Sequence, residues 1–514
     1  MMILRLALIT LLFATTPHLA FSDEGNPAET KNNTGKVLLN QVKPNLKNES
    51  KRVSEINTDS GEIFLTDSAE FLNQWTLTKY RKSREKDALH VGLEDVVINS
   101  PAFGLVFDRS DLLYLKDVKG KVSQNGDETS WEYDDERVSL KKSIKADPSV
   151  PYFYLTISGK FKKDAPKYAY VSIKGHDSDN TQESQFAKMI YFTRDGEDEE
   201  VLFSEVDSDF QNRFSENSVR WIGITSRYFL LSLIADKDAT PKAYVERLAN
   251  KTGRISMAYS LENTQFNIPL KLYFGAKELA TISAVDPSLD VTVDYGWFPM
   301  IAYPLLWLLN KLFTIIGNYG IAIIILTVLL KIVTYPLTYK SMKSMKEMQK
   351  VQPEIAKLRD KYKDDQKKLN EEMMLLMKNR GYNPVAGCLP MLVQMPVFIA
   401  LYNVLLSSVE LYQAPFGLWI NDLSIKDPYF ITPVLMTITM FFQQKLSPNT
   451  ITDPTQKKVM QFMPLMFGAF MVTLPAGLTL YMLTNILVSI LQQLILNKKL
   501  DITPSAQVVV ENGQ

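Results

Sequence analysis

Along its length this chain changes character once. As far as about Asp294, apolar and polar positions alternate in short runs, among them FGLVFD, VPYFYLTIS, YAYVSIKG, WIGITSRYFLLSLIA and FNIPLKLYFG, separated by polar turns. A period of two marks strands with one covered face, so residues 61–295 are expected to fold as an antiparallel β-sandwich. Roughly 230 residues can bury a proper core without covalent staples. Beyond Trp297 the pattern switches to apolar runs long enough to cross a hydrocarbon layer of ~30 Å, which takes about 20 helical residues. Five spans are expected: Tyr319–Tyr339, Cys388–Leu411, Tyr429–Leu446, Val459–Leu474 and Leu478–Leu496. Lysines at Lys340 to Arg380, Lys445 to Lys458 and Lys498/Lys499 put those ends on the cytoplasmic side.

Two stretches between these blocks have their own patterns. WFPMIAYPLLWLLNKLFTIIGN carries Asn310, Lys311, Thr314, Gly317 and Asn318 at helical spacing, a polar stripe that predicts a helix lying in the membrane surface over 296–317. Were it a span, the lysine-rich segment after it would fall on the export side. In 340–380, Pro353 and the charged KYKDDQ divide the segment into two helices with Ile355, Leu358, Leu369, Met373 and Leu376 on apolar faces, a helical hairpin. Its basic face and methionines suit contact with apolar segments or anionic lipid, and equally a solvated positive loop.

The first 22 residues join Arg5, a short apolar core Leu6 to Ala14 and small residues Ala20 and Ser22. They read as a secretory signal or as a marginal first span, and either would export the domain behind it. Residues 23–60, rich in Asn, Lys, Glu, Ser and Pro, read as a flexible tether. The plan is completed by a membrane core at 318–498 and a cytoplasmic tail at 499–514.

Composition narrows the chemistry. A formal net charge of zero over 514 residues averages two unlike halves and gives no reason to expect nucleic acid. One cysteine, Cys388, excludes an intramolecular disulfide, and the three histidines stand apart, so no metal site is expected. The chain has no phosphate-cradling glycine loop and no legible catalytic set, so neither a cofactor nor an enzyme is expected.

One residue stands out. IAIIILTVLLKIVTYPLTYK sets Lys331 inside a membrane-grade run, where a lysine near mid-span costs about 2.5 to 3.5 kcal/mol on insertion scales. At about 1.5 Å per residue from Asn318, Lys331 lies roughly 20 Å into the layer. Its stem reaches for the cytoplasmic edge, or its amine faces a wet interior. Thr327 lies one turn earlier on the same face, and Gln394, Asn403, Asn485 and Ser489 bring polar groups to other spans. Such groups also serve as plain helix–helix hydrogen bonds, at about 0.6 kcal/mol a pair.

DVTVDYGWFPMIAYPLLWLLNKL, KIVTYPLTYKSMKSM, NPVAGCLPMLVQMPVFIALYNVLLSSVELYQAPFGLWINDLSIKDPYF, FFQQKLSPNTITDPTQKKVMQFMPLMF and LPAGLTLYMLTNIL resemble, in that order, the YidC-type membrane protein insertases of Gram-negative bacteria. The resemblance implies an α+β membrane protein of the inner membrane. A periplasmic β-supersandwich would precede a five-helix transmembrane insertase core with a cytoplasmic helical hairpin, and the core would enclose a hydrophilic groove open to cytoplasm and lipid and closed outward. Lys331 would hold the place of the groove cation, where many relatives have arginine, which hydrates and pairs differently. Gln394 would line the groove, Tyr481 and Met482 match paired aromatics, and Thr473 falls where relatives often have tryptophan. With Thr327, Asn403 and Asn485 these form the expected client site. Implied partners are nascent membrane proteins, the Sec translocon, ribosome or targeting factors at the hairpin and tail, and membrane lipids. A solute transporter or channel would instead show internal repeats and a continuous pore. In a third reading the chain is a docking protein whose exported sandwich does the work.

Overall fold

The computed structural model describes residues 52–58, 61–69, 71–82, 88–93, 103–147, 150–176, 186–206, 210–249, 251–362, 365–379, 384–447 and 454–500. The expected export segment, the tether as far as residue 51 and the tail beyond residue 500 lie outside them.

Arg52–Thr58, Gly61–Thr66, Leu72–Arg81 and His90–Gly92 pair in sequence order as an antiparallel four-stranded sheet. The tether therefore ends earlier than residue 60, because Ile56 is buried opposite Ile63 and draws residues 52–58 into the sheet. The strands from Phe103–Phe107 to Gln265–Ala276 form a thirteen-stranded antiparallel system. Its pivot is the long strand Arg213–Thr225, which pairs with Lys242–Ala249 near its start and with Phe229–Ala235 near its end, across a register break between Phe214 and Ser218. One strand shared in this way lets a single sheet fold into two layers around a common core.

Alternation holds in Val138–Ala146, where Val138, Leu140 and Ile144 are buried and Lys141 and Lys145 are exposed. Lys142 takes a place on that buried face despite its charge. Its ammonium is buried over the Trp131 ring at 5.0 Å and donates to the Ala69 carbonyl, which binds the small sheet to the large one. Trp75, packed edge-on against Phe153 and Phe274, does the same with apolar surface. Phe229–Ala235 does not alternate at all, since every residue in FLLSLIA is buried and both faces are covered.

A short helix α1 (Leu279–Val285) leads out of the sheets. Asp286 then caps a 3-10 turn at Ser288 and accepts from Arg220 at 2.8 Å, pinning the exit to the central strand. The other helices are α2 (Pro299–Ile316), α3 (Tyr319–Lys361), α4 (Gln366–Asn379), α5 (Pro384–Ser407), α6 (Ile431–Leu446), α7 (Pro454–Met471) and α8 (Ala476–Leu500). Gly317, at φ +73°, ends α2, and the Asn318 side chain accepts from the amide of Ile321 to start α3, so the chain turns sharply between them.

Two of these elements differ from the expectation. α3 continues through Pro353 and breaks only after Lys361, because Val351 and Ile355, buried on either side of the proline, hold the helix across the one hydrogen bond it loses. In α2 the polar stripe is partly spent inside: Asn310 donates toward Glu410 at 3.4 Å and accepts from Tyr319 at 3.3 Å. The face of α2 left open carries Met300, Tyr303, Trp307 and Ile315. By length and composition alone α2 could cross a membrane, as could α3 and α8.

Candidate functional site

Packing along three helices is uneven in one direction. In α3, Ala322, Ile323, Leu326 and Thr327 are buried; in α5, Ala400, Leu401, Val404 and Leu405; in α8, every residue from Ala476 to Tyr481. At this end α5 and the residues after it are tied to the β-sheet domain and its exit segment. Arg227 donates to the Leu406 carbonyl at 2.9 Å, Ser407 to the Asp294 carbonyl at 3.1 Å, and Tyr412 to the Arg81 carbonyl at 2.7 Å. Further along, no residue is buried from 328 to 340, from 392 to 399 or from 487 to 495. A helix that packs on neighbours buries a stripe every turn. Two turns or more without one, in three helices at once, mean that the bundle is closed at one end and loosens beyond it, until α3 and α8 pack together again at Met342 and Leu496.

The closed end is sealed by residues 412–430. The amides of Ala476 and Gly477 donate to the carbonyls of Ile425 and Leu423 at 2.7 and 2.8 Å, tying the start of α8 to this loop. Asp427 is 1 % exposed and accepts from the Thr432 amide and hydroxyl, both at 2.7 Å, from the Tyr429 amide at 3.0 Å and from the Trp419 indole at 3.3 Å. Burial alone would push its carboxyl up, but these donors outweigh it and hold the carboxyl below the usual range. Thr432 in turn shares a hydrogen bond with Thr479 at 3.0 Å, so α6, α8 and the loop form one polar clasp. On the other side Asn318 donates to the Phe416 carbonyl at 2.9 Å.

Polar residues gather where the bundle loosens. Lys331 donates from Nζ to Ser489 Oγ at 2.8 Å and, among the described residues, forms no ion pair. The Gln492 side chain donates to the Lys331 carbonyl at 3.0 Å. Gln394 donates to the buried Tyr481 hydroxyl at 3.4 Å, and Phe398 stacks on the Tyr481 ring. Thr327 is buried one turn before Lys331, with its hydroxyl turned back to the Ile323 carbonyl. The Asn485 carbonyl accepts from Ser489, which brings that turn of α8 to the same place.

Three expected members lie apart. Asn403 donates to the Tyr295 carbonyl at 3.2 Å beside Gly296, so it fastens α5 to the segment entering α2. Thr473 is exposed in the turn between α7 and α8, bonded to the Phe470 carbonyl. Met482 packs with Met436, Met471 and Ile486, an apolar cluster between α6, α7 and α8. Gln492 went unremarked in the sequence, although Tyr481, Asn485, Ser489 and Gln492 recur at the spacing of one helix face.

A β-sheet domain followed by helices long and apolar enough to span a bilayer, with a lysine held among polar side chains between them, defines a membrane protein with a large β-sheet domain ahead of its spans. The family model described as the YidC periplasmic domain matches residues 55–308, and the one described as the 60Kd inner membrane protein matches residues 311–503. On these two adjoining matches the chain belongs to the YidC family of inner membrane proteins, with its β-sheet domain periplasmic. It is 44% identical over 289 residues to a membrane protein insertase YidC of Geotalea daltonii, covering 55% of this chain and 54% of the relative. It is 42% identical over 302 residues to the same-named protein of Campylobacter jejuni, covering 59% and 56%. The chain thus spans just over half the length of these curated relatives. A solved structure of an active YidC insertase with its first transmembrane domain resolved aligns over 87% of this chain and 93% of its own, at 20% identity and a TM-score of 0.37.

Proposed function

We propose that the chain is a membrane protein insertase, which takes nascent inner-membrane proteins, alone or with the Sec translocon, through a hydrophilic groove between α3, α5 and α8. Its apolar helices would make a five-span core, with α2 lying in the periplasmic surface of the inner membrane, α4 and the far half of α3 forming a cytoplasmic hairpin, and the carboxyl end in the cytoplasm. Ribosome or targeting factors at the hairpin and tail, and membrane lipids, are the other partners of this reading. The observation that carries it is the graded packing: a bundle clasped at the periplasmic end by Asp427 and its donors, and loose around Lys331 and Gln394.

The physics of such a groove is simple. A polar client segment loses water in hydrocarbon and gains nothing there. A wet notch through part of the layer shortens that passage, and a cation inside it attracts a client carboxylate by about 4 kcal/mol at ~4 Å and an effective dielectric near 20. The client's apolar stretch leaves sideways into lipid, gaining about 25 cal/mol per Å². No bond is made or broken. A transporter or channel would need a path through the clasped end, and the seal at 412–430 argues against one.

Reconstitution tests the reading. In proteoliposomes, Lys331→Ala should lower insertion of a one-span client with a short acidic translocated segment by about tenfold or more, consistent with the loss of part of that attraction. Lys331→Arg should retain activity, and a client with a neutral segment should suffer less. Equal insertion of the acidic client with and without the amine would defeat the proposal.

A further inference from the structure

Lys331 has a stem long enough to carry its ammonium out of the bundle, and Ile332 and Val333 beside it are exposed. What keeps the amine in is on α8. Ser489 gives its own hydroxyl proton to the Asn485 carbonyl at 2.7 Å, so its oxygen lone pairs are left for an incoming donor, and Lys331 Nζ fills that role at 2.8 Å. One turn on, the Gln492 amide bonds the Lys331 carbonyl at 3.0 Å, locking the backbone of α3 at the same level. Lys331 is thus held at both its main chain and its tip by one face of α8. A lysine ammonium has three donors, and a hydroxyl acceptor takes one without neutralising the charge. A carboxylate there would have quenched it.

We propose that Ser489 and Gln492 are positioning residues that hold the Lys331 ammonium inside the groove, charged and with donors to spare, instead of letting it extend to the cytoplasmic edge. The inference rests on the groove reading above and deepens it, since it explains how a flexible lysine serves as a fixed cation.

The test is a double-mutant cycle on the full chain in proteoliposomes, with an acidic-segment client and a neutral one. Ser489→Ala should lower insertion of the acidic client about threefold to tenfold, the range one hydrogen bond is worth, with a smaller loss for the neutral client. Ser489→Thr should restore it and the isosteric Ser489→Val should not, which separates the hydroxyl from any packing defect that both share. In a Lys331→Ala background, Ser489→Ala should add nothing. An additive loss in that background, an equal loss for both clients, or no difference between Thr and Val would overturn the assignment while leaving the groove intact. If Lys331→Ala itself has no effect, the groove reading falls and this inference with it.

Discussion

Replacing Asp427 probes the seal at the closed end of the bundle. Asp427→Ala removes the acceptor for four donors, two of them on Thr432, which is itself buried. A lost helix-start cap costs about 0.5 to 2 kcal/mol, and each buried donor left without a partner costs about 1 to 3 kcal/mol. With some relaxation the sum is about 3 to 5 kcal/mol, which for a helical unit of this size lowers the melting temperature by about 6 °C or more. Asp427→Asn keeps one acceptor oxygen but offers an amide to one side of the clasp, so it should fall between. The sign with pH comes from the depressed carboxyl. Its contribution is present above the unfolded-state value near 4 and disappears as the pH falls through the lower folded value. Wild-type protein should therefore lose part of its stability in that acid range, and the Asp427→Ala protein should not show that component. Thermal unfolding of the purified chain in detergent, followed across pH, measures both. Equal melting temperatures for wild type and Asp427→Ala at neutral pH would refute the clasp.

Two further outcomes are expected. Glu246 and Arg254 form an ion pair across neighbouring strands with both side chains about 1 % exposed; Glu246→Gln should destabilise the β domain by about 3 to 5 kcal/mol, whereas replacing both by apolar residues of similar volume should cost far less, as read by urea unfolding. Tyr412 packs on Tyr228 and Phe229 and bonds the Arg81 carbonyl; Tyr412→Phe should cost about 1 kcal/mol and Tyr412→Ala about 3 kcal/mol, with faster hydrogen exchange confined to the junction around residues 226–229 and 404–413.

How far the fold was legible depended on which neighbours a residue acquires. Val138–Ala146 announces itself because one face meets water, and Phe229–Ala235 does not because tertiary packing covers both. Pro353 looked like a boundary because a proline weakens a helix locally, yet the packing of Val351 and Ile355 decided the matter. Lys331 was conspicuous from its apolar surroundings alone. Asn403 was not assignable, since an asparagine in an apolar helix reads the same whether it faces a polar notch or bonds the carbonyl of Tyr295 from a distant segment. Gln492 could have been found from the four-residue stripe on α8, but its bond to the Lys331 carbonyl depends on the register of α3 against α8, which periodicity does not carry.

Water access at position 331 from each side of the membrane decides whether the groove exists. With Cys388 replaced by serine, Lys331→Cys and Gln394→Cys each supply a single thiol for a membrane-impermeant reagent applied to inside-out or right-side-out vesicles. A groove open to the cytoplasm gives rapid labelling from the cytoplasmic face and protection from the periplasmic face. Protection from both faces, or labelling from the periplasmic face, would contradict it.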